Sequence, residues 1–434
     1  MKRLLFAAII LFILGMSAGC HKSADSNSDP KFVTVRDGQF YIGDSVYRYL
    51  GTNMWYGAIL ASSGQGGDRE RLSRELDLMQ SVGIDNIRVL VGADGAENLP
   101  AHVMPVLQTE PGVYNDTILD GLDYFMAELE KRGMTAVLYL NNSWEWSGGY
   151  GEYLRWSGHG RCPIPAIDGY NTYVDHVAQF VHDDSAKNMF ADHVRFIVGR
   201  TNRYTGKPYT ESPAIMSWQI CNEPRAFASD SLSKRLFAEW IASTAALIKS
   251  IDKNHLFSTG SEGYYGCQVD LGLWTEIHSN PDVDYGLIHM WPVTWNWARR
   301  DSLMEDLDSA AFYSTQYVTD HVEALRPTGK PLVLEEFGYP RDGMSYSVGT
   351  PTKARDEYYS YVFSLMDSNL IQGCNFWAWG GYAVPAHETW QTWDPYTGDP
   401  AQEPQGLYSV FATDSSTISL IRNFTERIGS RRAE

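Results

Sequence analysis

Glutamate closes two apolar runs of this chain in a way that could do acid–base work. "SWQICNEPR" (residues 217–225) puts Asn222 and Glu223 at the end of a strand-like stretch, and "PLVLEEFGYPRD" (331–342) ends another in Glu335 and Glu336. Two carboxyls facing each other across a cleft suit glycoside hydrolysis, which needs one acid and one base or nucleophile. A separation of ~5 Å would give double displacement with retention of the anomer. The pair would also sort its protons. Unit charges ~5 Å apart at an effective dielectric of ~20 repel by roughly 3 kcal/mol, more than two pKa units, so one carboxyl stays protonated. Adjacent residues of a strand point to opposite sides, so one of Glu335 and Glu336 is structural, and the pattern alone does not choose.

Other chemistry gathers at the ends of similar runs. Asn53 and Trp55, Arg88, "NNSWEWSGG" (141–149), His289 with Trp291, and Trp377 with Trp379 all sit there. Indole faces pack on the C–H faces of sugar rings, while amides and carboxylates take hydroxyls. Arg88 beside one glutamate would favour its charged form. Each residue alone has a plainer explanation: a glutamate after a strand is usually a solvated cap, a single histidine a satisfied core group, a tryptophan part of the core. Glu262 in "TGSEGYY" reads as a loop residue. Together they would require independent coincidences at five or six strand ends. No glycine-rich phosphate loop and no HExxH or other close metal-ligand spacing occurs, so neither cofactor nor metal is expected.

These residues need a scaffold that brings strand ends to one face. "RYLGTN", "IDNIRVLV", "MTAVLYL", "AIMSWQI", "HLFST", "YGLIHM", "PLVLEE" and "GCNFWAW" are eight short, nearly continuous apolar runs, as in a parallel sheet covered on both faces. Helical patterns separate most of them. Residues 68–83 carry Asp68 as N-cap, Leu72, Leu76 and Met79 on one face, and Gly83 as the stop; residues 119–133 repeat the design and end on Gly133. Further helices are predicted over 173–200, 234–251, 313–326 and 354–366. Eight such units imply an α/β fold, a (β/α)8 TIM barrel, with a doubly wound open sheet as the alternative. Chemistry then belongs at the C-terminal strand ends. Ahead of the barrel, "FVTVRDGQFYIGDSVYRYLGTNMW" (32–55) predicts a short hairpin turning at Asp37-Gly38, then the first barrel strand.

The 434 residues are predicted to hold a signal peptide (1–19), a polar tether (20–30) and one catalytic domain (31–434). Lys2 and Arg3 precede an apolar stretch, Leu4 to Leu14, too short to span a bilayer, and "GMSAGC" resembles a bacterial lipobox with Cys20 as the lipidated residue. The expected location is exported: an outer-membrane lipoprotein, or a secreted or periplasmic protein, touching a membrane only through that anchor. Net charge is −18, and −20 once Lys2 and Arg3 leave with the leader, which argues against nucleic acid and polyanionic glycans and for a neutral substrate. Cys162, Cys221, Cys267 and Cys374 could pair in three ways or remain buried thiols. A monomer is expected.

Four segments, "SWQICNEPR", "STGSEGYYG", "IHMWPVTW" and "LEEFGYPRD", resemble the β-mannanases of glycoside hydrolase family 5, subfamily 7 in particular. "NNSWEWSGG" and "DPAQEPQGLYSVF" (399–411) agree, and the likeness runs from Phe32 to Ile428. The resemblance implies a retaining endo-β-1,4-mannanase acting on mannan, galactomannan or glucomannan, with Glu223 as acid/base and Glu336 as nucleophile. It also implies that Asn222 binds the sugar 2-hydroxyl, Arg88 keeps the nucleophile ionised, His289 lines the reacting subsite and Trp377 lies beneath the sugar. Trp55 and Asn142 would form cleft walls and Arg225 the leaving-group side. Where the family often has a tyrosine two residues after the histidine, this chain has Trp291, expected as a cleft contact. The alternatives are an exo-acting β-mannosidase or mannobiohydrolase on the same fold, and a non-catalytic glycan-binding lipoprotein.

Overall fold

The computed structural model describes residues 32–97 and 99–431. The predicted leader, tether and Cys20 lie outside them. All eight predicted barrel strands form: Tyr49–Asn53, Asn86–Leu90, Thr135–Tyr139, Ile215–Gln219, Leu256–Ser258, Gly286–Met290, Leu332–Phe337 and Gly373–Phe376. They are parallel neighbours in chain order, with the eighth paired back to the first. Between the fifth and sixth strands the barrel closes through backbone bonds, Asp284 N–H to Phe257 O at 2.9 Å and His289 N–H to Glu262 O at 3.1 Å. The fold is the expected (β/α)8 barrel. Every residue of each of these strands is buried, which is why they read as continuous apolar runs rather than alternating ones.

Local signals place the surrounding helices. Asp68 accepts from Arg71 N–H at 2.8 Å, a cap that contributes about 1 kcal/mol to Arg69–Ser81, and Leu72, Leu76 and Met79 are buried against the barrel. Gly133 ends Asp116–Arg132 in the left-handed conformation, where a side chain would be strained. The helix predicted over 173–200 is two, Tyr170–Val177 and Asp184–Val198. Asp183 explains the break, since its carboxylate caps Ala186 N–H at 2.8 Å and starts a new helix.

The predicted N-terminal hairpin turns at Asp37-Gly38 with positive φ at both residues, as expected, but it is extended. A second turn at Gly43 adds Ser45–Tyr47 to Val33–Arg36 and Gln39–Ile42, giving a three-stranded antiparallel meander. Val33, Phe40 and Tyr47 of that meander pack with Tyr49, Val137, Met216, Leu256, Tyr285, Leu287 and Val333. These residues plug the floor of the barrel, while a larger apolar core lies between strands and helices. All four cysteines in the described region are buried free thiols, so none of the three disulfide pairings forms.

Candidate active site

The fourth strand delivers Glu223 by an abrupt turn. Glu223 itself has φ 49, a left-handed conformation that costs a residue with a side chain about 1–3 kcal/mol unless its surroundings hold it. They do so from both sides. Glu223 N–H donates to Gly260 O at 2.9 Å, and Ser143 Oγ donates to Glu223 O at 2.5 Å. Gly260 has φ 76, and a Cβ there would stand 1.8 Å from Cys221 O, so only glycine lets the fifth-strand loop cross this closely.

Glu336 reaches the same space through an irregularity in the seventh strand. Register shifts on both sides of that strand interrupt its pairing around Glu335 and Glu336. The simple alternation expected of adjacent glutamates therefore does not hold, and both carboxyls meet one guanidinium. Arg88 Nη1 donates to Glu336 Oε1 at 2.5 Å, while Arg88 Nε lies 3.2 Å from Glu335 Oε2. Glu335 is nonetheless the structural member. It is fully buried and accepts from Gln219 Nε2 through both oxygens, at 2.6 and 2.5 Å.

A carboxyl oxygen of Glu223, one of Glu336 and a ring nitrogen of His289 all lie within 4.8 Å of one another. His289 Nδ1 is 2.8 Å from Glu223 Oε1 and 3.3 Å from Glu336 Oε2. Burial and the charge of Arg88 hold His289 well below the ordinary imidazole range, so the ring is neutral and Nδ1–H can donate to the carboxyls. By spacing alone these three side chains could also converge on a cation; the guanidinium on Glu336 already supplies positive charge there. Burial pushes both carboxyls up: Glu223 against the pull of Arg225, Glu336 well above the ordinary range against the pull of Arg88. The charge of Glu223 adds to the rise of Glu336, so burial and mutual repulsion both favour a shared proton over two charges.

Around this centre lies a cavity of about 790 Å³. Asn222, Arg225, Trp291 and Trp377 line it with the two glutamates, as expected. Arg88 Nη2 donates to Asn222 Oδ1 at 2.9 Å, so one arginine orients both the glutamate and the amide. Trp55 and Asn142 are not in the wall. Trp55 is 1% exposed, covered by Trp146 and Tyr396 at ring-centroid distances of 5.5 and 4.9 Å, and its indole N–H donates to Gly398 O at 2.9 Å. The long loop after the eighth strand lies over it. Asn142 stands behind Asn222, accepting from its Nδ2 at 3.2 Å.

Two residues gain roles that strand patterns did not suggest. Trp144 Nε1 donates to Glu223 Oε2 at 2.6 Å, and the Arg225 guanidinium lies 5.2 Å from the Trp144 ring centroid. Glu262, read as a loop residue, is buried and paired with Arg225, whose Nε donates to it at 2.6 Å. Burial brings its carboxyl up to about 7 despite that arginine. The spacing of "NNSWEWSGG" and "TGSEGYY" at strand ends was the available signal for both; which way the side chains turn was not in it.

The chain as a whole is similar to known enzymes. Residues 30–432 match the family model described as "GH family 5 beta-mannosidase-like". Mannan endo-1,4-beta-mannosidase 5 of Solanum lycopersicum is 26% identical over 393 residues, covering 87% of this chain and 88% of the relative. Putative mannan endo-1,4-beta-mannosidase 9 of Oryza sativa subsp. japonica is 28% identical over 375 residues, 83% of each chain. Among solved structures, a family 5 mannosidase variant from Rhizomucor miehei in complex with mannosyl-fructose superposes with TM-score 0.85 at 30% identity, covering 94% of this chain and 99% of the other. An endo-1,4-beta-D-mannanase from Thermotoga petrophila gives TM-score 0.65 at 25% identity, covering 88% and 100%.

Proposed function

This chain belongs to the β-mannosidase-like group of glycoside hydrolase family 5 and is a glycoside hydrolase, and from that premise we propose that it cleaves β-1,4-mannosidic bonds with retention, working from a chain end. The observation that supports the mechanism is that one oxygen of Glu223 and one of Glu336 lie within 4.8 Å, closer to the ~5–5.5 Å of retaining pairs than to the ~6.5–9.5 Å of inverting ones. Arg88 bonds Glu336 directly and not Glu223, and in this reading that ion pair keeps the single negative charge on Glu336 against the burial that raises its carboxyl, leaving the proton on Glu223. Glu336 attacks the anomeric carbon as the glycosidic bond breaks, and Glu223 gives its proton to the departing oxygen. The glycosyl ester on Glu336 is then opened by water, which Glu223 deprotonates. In this reading Asn222 bonds the 2-hydroxyl and Trp377 lies beneath the reacting ring; both line the cavity.

Chain-end attack is supported by the cover over Trp55. In this reading the eighth-strand loop, packed over Trp55 through Tyr396 and Gly398, closes one end of the cleft. The mannosidase likeness at TM-score 0.85 points the same way. Internal (endo) cleavage is the second reading, favoured by the names of the curated plant relatives and by the exposed Tyr170 and Val269 at the cavity rim. Reducing-end-labelled mannohexaose separates them. Stepwise loss of one or two sugars from the non-reducing end supports the proposal; early mid-length fragments and a rapid viscosity drop in galactomannan give it to the endo reading. Assignment to subfamily 7, export and lipidation at Cys20 are part of the same proposal, supported by "SWQICNEPR", "LEEFGYPRD" and "GMSAGC". Replacing Cys20 by alanine should move the enzyme from the membrane fraction to the soluble one.

A further inference from the structure

We propose that Glu403, which is outside the reacting pair, is a specificity-determining residue that binds adjacent hydroxyls of the sugar at the non-reducing end. It belongs to the eighth-strand loop and lines the cavity together with Pro400, Gln402, Tyr408 and Trp377. Its Oε2 is buried and has no hydrogen-bond partner, an unfavourable state for a polar atom unless a ligand or water completes it.

The loop around Glu403 is built to hold it. Asp399 accepts from Gly406 N–H at 2.7 Å, Tyr408 N–H at 2.8 Å and Ser409 N–H at 3.2 Å. Gln405 Nε2 donates to the carbonyls of Asp399, Pro400 and Glu403 at 3.1, 2.9 and 3.1 Å, and its Oε1 accepts from Thr397 Oγ1 at 2.8 Å. Every one of these side-chain groups is spent on the loop, while the Glu403 carboxyl end is left over and faces the cavity. A rigid turn carrying an unspent polar group into a cavity walled by aromatic and polar side chains is how binding sites fix ligand orientation.

Position assigns the sugar. The loop grows from the eighth strand, across the barrel from the fourth, which carries Glu223 and Arg225, the leaving-group side in the proposed mechanism. Burial, reinforced by Asp399 and Glu223, brings the Glu403 carboxyl up to about 8, so at neutral pH it is an acid with one donor and one acceptor. That pairing matches two neighbouring hydroxyls of a neutral pyranose.

This role rests on the proposed β-mannosidic activity, and the test separates the two. Wild type, Glu403→Ala and Glu403→Gln are assayed on 4-nitrophenyl β-mannoside and on its 3-deoxy and 4-deoxy analogues, with Tm measured for each protein. Glu403→Ala should lower kcat/KM on the parent glycoside by about 10–100-fold, Glu403→Gln less, with Tm unchanged or higher. The deoxy analogue that wild type handles poorly should lose no further rate in Glu403→Ala, because the contact is already gone. Equal losses on all three substrates, or kcat/KM within twofold of wild type, overturn the role and leave the function standing. A wild-type enzyme inert toward β-mannosides but active on β-glucosides overturns the function, and the role with it.

Discussion

The floor and the mouth of this barrel are made from the same eight strands and obey opposite rules. At the floor, Phe40 of the meander meets Tyr285 edge-on at 5.3 Å, and Val137, Met216, Leu287 and Val333 complete a layer without charge. At the mouth, a few residues further along the same strands, Arg88, Glu335, Glu336, Glu223 and His289 are buried together. Apolar burial stabilises in proportion to area, whereas buried charge stabilises only when each partner is present. Stability should therefore be concentrated at the floor, and pKa tuning at the mouth.

Removing the nucleophile is the strongest test of that division. Glu336→Ala should reduce kcat by about 10⁴-fold or more, near 5.5 kcal/mol, without lowering Tm, and azide should restore turnover as a glycosyl azide of inverted configuration. Unchanged activity would sink the assignment of the mouth. Glu223→Gln comes next. It should cut kcat on mannooligosaccharides by about 10³-fold, near 4 kcal/mol, while an aryl mannoside with an acidic leaving group is largely spared in the first step because it needs no proton.

At the floor, Phe40→Ala should cost about 3–4 kcal/mol of unfolding free energy in urea, with kcat/KM at 25 °C unaltered. A change in kinetics there would show that floor and mouth are not independent. The smallest effect concerns pH. Glu145 lines the cavity, and burial holds its carboxyl up at about 7. The folded state then binds that proton more tightly than the unfolded chain, so the contribution of Glu145 to stability falls as pH rises from the ordinary carboxylate range to about 7 and is level above. Glu145→Gln should remove up to about 3 kcal/mol of that change between pH 4.5 and 8; denaturation midpoints at the two pH values measure it.

Much of the frame was legible because its signals are local. Apolar runs bounded by Asp68, Gly83 and Gly133 specify strand and helix within a window of a dozen residues. The split at Asp183 was missed because an aspartate inside a helical pattern reads equally as a surface residue or a new cap. Trp55 was misplaced for a different reason. It does stand at a strand end, but whether an indole there faces a cleft or lies under a loop depends on Tyr396 and Gly398, more than three hundred residues later.

Taken alone, the amino-acid order determined that eight strands would present Glu223 and one of two adjacent glutamates at a common face, since strand period and strand ends are properties of short segments. Only the tertiary structure decided that an irregularity in the seventh strand turns Glu335 and Glu336 toward one arginine, that Trp144 bonds the acid, and that a loop seals Trp55 while leaving Glu403 unspent. Those outcomes depend on which distant groups arrive within about 3 Å, a distance at which a single shift of register changes every partner.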